Sequence, residues 1–146
     1  MTRILGLDVG ERRIGVAISD PEGRIAVPLR ILERASAEQA ITGIARAERV
    51  QLIVLGLPLS MDGSVGMQAR LVQAFGEDLA RVAGLPIEYW DERLSSVQAQ
   101  RASGPPRKRA AGGPRRRRTP ADDVAAAIVL QSYLDRQRAQ HEHDRQ

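Results

Sequence analysis

Three acidic points could do chemistry in this chain of 146 residues. Asp8 closes one short apolar run, Asp91 and Glu92 close another, and Asp122 and Asp123 open an alanine-rich stretch. If the three converge, like charges a few ångströms apart stay ionised only with a cation among them. Hard cations such as Mg²⁺ or Mn²⁺ take oxygen ligands and keep positions open for phosphate oxygens. Two such ions hydrolyse a phosphodiester without help from His or Ser, one activating the water and the other stabilising the leaving oxygen. The remaining composition suits that chemistry. There is no cysteine, and the only histidines, His141 and His143, lie in a polar tail, which argues against a Ser-His-Asp triad and against thiolate or histidine-rich zinc sites. Each acidic point alone has a plainer account. Asp8 could serve only its own turn, Asp91 and Glu92 could face solvent, and aspartates in a first helical turn are common caps. Only the combination points to a site.

The elements that must position these acids can be read in order. Residues 4–7 are apolar throughout, as in a strand covered on both faces, which places Asp8 at the end of a central strand. Gly10 is expected to supply a turn with positive φ, and Gly6 and Gly15 to admit a ligand or a neighbouring backbone. After a tight polar turn, the rest of the stretch towards Asp20 forms a second apolar strand. Residues 24–33 read as a third, with Pro28 marking an edge or a bulge. Ser36 is the expected N-cap of a helix ending near Arg49, with Gln39 at the capping-box spacing and Ile41, Ile44 and Ala45 as its apolar stripe. Residues 52–57 form a second buried, parallel strand, which Pro58 ends. A loop over 58–66 precedes a helix over 67–83, with Leu71, Val72, Phe75, Leu79 and Val82 at helical spacing and Gly84 just past its end. Residues 86–92 form the fifth strand, and a helix over 93–102 follows, capped by Ser95 or Ser96. Residues 103–118 are expected to be a mobile loop. Thr119 then caps a last helix with Pro120 at its first position, a body over 124–134 and a charged tail that frays. This order implies an α/β fold: a mixed five-stranded sheet, a three-strand antiparallel meander plus two parallel strands, with helices on both faces. The C-terminal ends of strands one, four and five then gather Asp8, the 58–66 loop and Asp91-Glu92. Helical spacing does not choose between Asp122, which shares a face with Ala125, Ala126 and Val129, and Asp123, which shares one with Ala126, Ala127 and Leu130.

Charge adds a partner. The net charge is +4, and residues 101–118 hold eight bases and no acid: Arg101, Arg107, Lys108, Arg109, Arg115, Arg116, Arg117 and Arg118. A basic stretch beside the third acidic point fits a phosphate backbone, and the lack of aromatics in it favours backbone contact over base stacking. With 42% hydrophobic residues but 3% aromatics, the core must be built from Leu, Ile, Val and Ala. No apolar run approaches the roughly 20 residues of a membrane span. The reading is one domain over 1–135 with a charged tail over 136–146, cytoplasmic, without membrane contact, and a monomer or weak homodimer.

Four stretches in order carry a family resemblance: Leu7-Asp8-Val9-Gly10 with Arg13-Ile14-Gly15-Val16-Ala17; Val54-Leu55-Gly56-Leu57-Pro58-Leu59-Ser60-Met61-Asp62-Gly63; Asp91-Glu92-Arg93-Leu94-Ser95-Ser96; and the run from Asp122 to Leu134. Together they resemble the YqgF/RuvX family, whose members are described as Holliday-junction-resolvase-like nucleases and as pre-16S rRNA nucleases. The resemblance implies an RNase H-like fold and a metal-dependent nuclease. By similarity Asp8 is the first-strand metal ligand, Glu92 the second acid, and Asp122 the acid ahead of the small pair Ala125-Ala126. It implies Mg²⁺ or Mn²⁺ as cofactor and structured RNA as substrate, with processing of the 5′ end of pre-16S rRNA, within ribosomal precursor particles, as the role. Arg12, Arg13 and the bases of 107–118 would hold phosphates, and Gly10, Ser60 and Asp62 would line the cleft. The alternatives are a resolvase of branched, four-way DNA and a non-catalytic RNA-binding module. Ser60 stands where the family usually has Asn, and the Pro-, Gly- and Arg-rich 103–118 segment departs from its pattern.

Overall fold

The computed structural model describes residues 3–97 and 122–144. Its strands are β1 (Arg3–Val9), β2 (Arg13–Ser19), β3 (Ala26–Glu33), β4 (Val50–Leu57) and β5 (Ile87–Asp91), and its helices are α1 (Ala37–Ala47), α2 (Met67–Ala83) and α3 (Asp122–Asp144). The strands form one sheet in the order β3-β2-β1-β4-β5. β2 is antiparallel to both β1 and β3, while β4 is parallel to both β1 and β5. β1 is therefore central, as its unbroken apolar run required. β3 is an edge strand whose register shifts opposite Val16 and Ala17, close to Pro28. A proline there gives up no ladder bond that the sheet needs.

Alternation along β1 splits the core in two. Leu5, Leu7 and Val9 face α1 and α2 and pack with Ile41, Ile44, Val72, Phe75 and Leu79. On the opposite face, Ala17 and Val54 meet α3 through Ala125, Ala126, Val129, Leu130, Tyr133 and Leu134. Gly6 lets α3 lie close, since a Cβ there would fall 2.6 Å from Leu130 Cβ. Small residues on both surfaces bring the acidic start of α3 down onto the sheet.

Several local expectations need correction. Ser36 makes no side-chain cap bond. A short 3-10 turn (Arg34–Ser36) runs directly into α1, so the Ala37 N–H already meets Arg34 O and Ser36 is not extended. Gly10 is absent from the positive-φ residues. It is needed for space: its N–H donates to Arg13 O at 2.9 Å, and a Cβ would sit 2.9 Å from that same oxygen. Leu71 and Val82 are exposed, on the outer flank of α2. The third strand starts at Ala26 because Asp20 Oδ1 holds the Arg24 and Ile25 N–H groups in the preceding turn. The tail does not fray at Leu134 but stays helical to Asp144. It is rich in good helix formers and carries an Asp135–Arg138 pair one turn apart. The Thr119 cap, Pro120, the basic loop and residues 98–102 of the expected 93–102 helix lie outside the described residues. No helix among the described residues is long and apolar enough to cross a membrane.

One packing feature gives a pH prediction. Tyr133, 5% exposed, stands edge-on to Trp90 and donates to Glu88 Oε1 at 3.2 Å. Burial first, then the charge and hydrogen bond of Glu88, push its phenol up to about 12. An unfolded phenol loses its proton near pH 10. The stability that the folded phenol contributes is therefore fully present below about pH 10 and is lost as pH rises towards about 12. Lys108 is the only lysine, and arginine does not titrate in that range; the main other contributor is Tyr89, whose phenol burial also pushes up. Urea titrations between pH 9 and 12 should show the fall in the wild type and much less of it in Tyr133→Phe. An equal fall in both would contradict the assignment.

Candidate active site

The three acids converge at one end of the sheet. Asp8 pairs across to Gly15 on β2, and the β1–β4 register, with Leu7 opposite Leu55, puts Gly56 beside it on the other strand. Asp8 thus stands between two glycines, on the face that α3 covers. Each glycine makes room for one of the other acids. A Cβ on Gly15 would overlap the Asp122 carbonyl oxygen, so the first residue of α3 rests directly on Asp8's neighbour. A Cβ on Gly56 would fall 2.7 Å from Glu92 Oε2. Adjacent strands are about 4.8 Å apart, so the three acids arise within about 10 Å across the sheet. Asp8 is 5% and Glu92 2% exposed. Carboxylates so buried stay charged only where positive charge or several donors meet them.

Geometry places Asp91 and Glu92 differently. Asp91 ends β5 opposite Leu57, and its carboxylate accepts from the Arg93 N–H at 2.9 Å and from Arg93 Nη2 at 2.7 Å. Those Arg93 contacts hold the Asp91 carboxyl below its ordinary range. Asp91 is thereby occupied as the cap of a 3-10 turn (Glu92–Leu94), which turns Glu92 to the other face. The residues expected to start a helix at 93 belong to this turn instead. Ser95 then meets Val97 N–H at 3.3 Å, as one of the two expected caps, and its own hydroxyl donates to Glu92 O at 3.0 Å. Trp90 Nε1 donates to Ser132 Oγ at 3.0 Å, and Ser132 donates to Leu94 O at 3.1 Å, so α3 braces the same turn.

At the third point, Asp122 lies over β2 and heads the face of Ala125, Ala126 and Val129, all fully buried. Its Oδ2 is 3.5 Å from Arg13 Nε. Among the described residues, no three acidic or histidine side chains are close enough as they stand to hold a metal ion. The donor set is nonetheless of the right kind: carboxylate oxygens for a hard cation, over a glycine floor that leaves space beside them.

Arg12 and Arg13 are exposed in the β1–β2 turn. Sequence reasoning overlooked Arg34, which fixes that turn: its N–H donates to Arg12 O at 2.8 Å, its Nη1 to Gly10 O at 3.0 Å, and its guanidinium lies 5.1 Å over the Phe75 ring. Ser60 and Asp62 lie exposed on the 58–66 loop at the exit of β4. Asp62 accepts from Ser64 N–H at 2.9 Å, and the bonds to Ser64 lower its carboxyl pKa. Arg107, Lys108, Arg109 and Arg115 to Arg118 lie outside the described residues.

Comparisons with known proteins fit this arrangement. The family described as RuvX, Holliday junction resolvase, matches residues 2–136. The chain is 50% identical over 138 residues to a protein of Chloroflexus aggregans, covering 92% of this chain and 94% of that one. It is 46% identical over 141 residues to one of Gloeobacter violaceus, covering 94% and 86%. Both bear the name "Putative pre-16S rRNA nuclease". Among solved structures, T. thermophilus RuvC in complex with a Holliday junction substrate aligns with a TM-score of 0.58 at 11% identity, covering 95% of this chain and 97% of that one. That likeness is one of fold, and it agrees with the RNase H-like architecture that the family resemblance implied. The chain belongs to the RuvX family.

Proposed function

We propose that this protein is a metal-dependent nuclease that hydrolyses phosphodiester bonds at the 5′ end of precursor 16S rRNA. The observation that carries the reading is the meeting of Asp8, Glu92 and Asp122 around Gly15 and Gly56, in a chain whose close relatives bear that nuclease name. Asp8, Glu92 and Asp122 would hold Mg²⁺ or Mn²⁺. Bound there, a pair of such ions would supply an activated water and charge stabilisation for the leaving oxygen. The chain's own residues do the rest. Asp8 and Glu92 are held rigidly by a central strand and a braced turn. Arg12 and Arg13, on the turn that Arg34 fixes, contact substrate phosphates. The 107–118 bases extend that contact along the backbone, and the 58–66 loop walls the cleft on the β4 side. No histidine or thiol is needed.

A second reading is cleavage of four-way DNA junctions, favoured by the family's description as a Holliday junction resolvase. The two separate when end-labelled pre-16S 5′ leader RNA and a four-way junction are incubated in parallel with the full chain in Mg²⁺ and in Mn²⁺. The proposal expects discrete cuts in the RNA and little in the junction. Symmetric cutting of the junction alone would transfer the assignment to the resolvase. Steeply salt-dependent binding of both, with no cutting, would make the protein an RNA-binding module.

A further inference from the structure

The 58–66 loop is folded upon itself: Ser60 N–H donates to Ser64 O at 3.0 Å, Gly63 N–H to Ser60 O at 2.8 Å, and Ser64 N–H to Asp62 Oδ1 at 2.9 Å. One side chain joins it to β5. Arg93 Nη1 donates to Met61 O at 3.1 Å, while Nε contacts both Asp91 oxygens at 3.1 Å and Nη2 contacts Oδ2 at 2.7 Å. The guanidinium also packs on Gly63, where a Cβ would lie 3.5 Å from Nη1. Asp91 binds the Arg93 main-chain N–H as well as its guanidinium, so the direction of the fork is fixed relative to the turn that carries Glu92.

We propose that Arg93 is a positioning residue that locks the cleft loop to the turn bearing Glu92, so that loop and acid keep one relative placement. The inference rests on the nuclease reading for its consequence, but its geometry does not. Arg93 lies at the surface, as Arg12 does, but its guanidinium is committed to Asp91 and Met61 O and is not a phosphate contact. A lysine ammonium also has several donors but lacks the planar fork that meets both Asp91 oxygens and Met61 O in one fixed orientation.

The test uses the full chain as wild type, Arg93→Ala, Arg93→Lys and Arg12→Ala. Amide hydrogen exchange at Ser60, Gly63 and Ser64 should rise about tenfold in Arg93→Ala, and detectably in Arg93→Lys, while the β4 amides stay unchanged. This readout needs no cleavage, so it fails or succeeds independently of the nuclease reading. In RNA-binding titrations, Arg12→Ala should reduce the log–log salt slope by about one, and both Arg93 variants should leave it unchanged. If cleavage is observed, Arg93→Ala should raise KM, with Arg93→Lys restoring part of the loss. Unchanged loop exchange in both Arg93 variants would overturn the proposal. So would a salt slope that falls by about one in Arg93→Lys or Arg93→Ala. Should Arg93→Ala not fold, Arg93→Lys carries the same two readouts.

Discussion

Asp8→Asn will fold and bind RNA, but it will cut at least about a thousandfold more slowly than the wild type. The change keeps the shape of the side chain and its place between Gly15 and Gly56. It removes the charge that an oxygen-ligated cation requires. Asp8 is 5% exposed and stands in the central strand, which fixes its place at the site. The unfolding midpoint should stay within about 5 °C of the wild type, because packing is untouched. Single-turnover cleavage with a thermal melt on the same sample decides this. Activity within tenfold of the wild type would remove Asp8 from the site. Loss of activity together with a collapse of the midpoint would mean that its role is structural.

Gly15→Ala should damage both stability and activity, by different routes. The new Cβ would overlap the Asp122 carbonyl and sit 2.7 Å from Asp123 N, both main-chain atoms that cannot rotate away. The start of α3 must lift. Overpacking of this kind costs about 1–3 kcal/mol, a midpoint lower by roughly 5–10 °C. Cleavage should fall further than the unfolded fraction explains, by about a hundredfold, because a ligand misplaced by an ångström is enough. Assays well below the midpoint separate the two effects. Full activity in the folded variant would show that the placement of Asp122 is not needed.

Much of this arrangement was legible in the residues, for reasons that differ from place to place. The centre of the sheet could be read because β1 and β4 are unbroken apolar runs, which only a doubly covered strand tolerates. The α2 boundaries, Met67 and Ala83, followed from apolar spacing and from Gly84, whose φ of 68° suits a helix end. What could not be read were contacts between distant segments. Gly10 was assigned a positive φ because a turn glycine usually has one; the actual demand is closeness to Arg13 O. Helical spacing left Asp122 and Asp123 equal, and only the family resemblance favoured Asp122; the seat of α3 on Gly15 is made by main-chain atoms of both residues. Arg34 and Arg93 look in sequence like any surface arginine. A weak signal existed for Arg93: an Asp two residues earlier, at the end of a strand, invites a cap that also captures the guanidinium. The Ser36 capping box failed because the chain enters α1 from a 3-10 turn, which leaves Ser36 without the extended backbone of a capping residue.

The account stands or falls on cation-dependent hydrolysis by these acids. The most direct measurement is the fate of end-labelled pre-16S 5′ leader RNA incubated with the full chain in Mg²⁺, with excess chelator, and with Mg²⁺ restored. Discrete cuts that vanish with the chelator and return with the metal are the predicted result. Cutting that ignores the chelator, or an RNA that stays intact although the protein binds it, would contradict the claim that Asp8, Glu92 and Asp122 form a metal-dependent nuclease site.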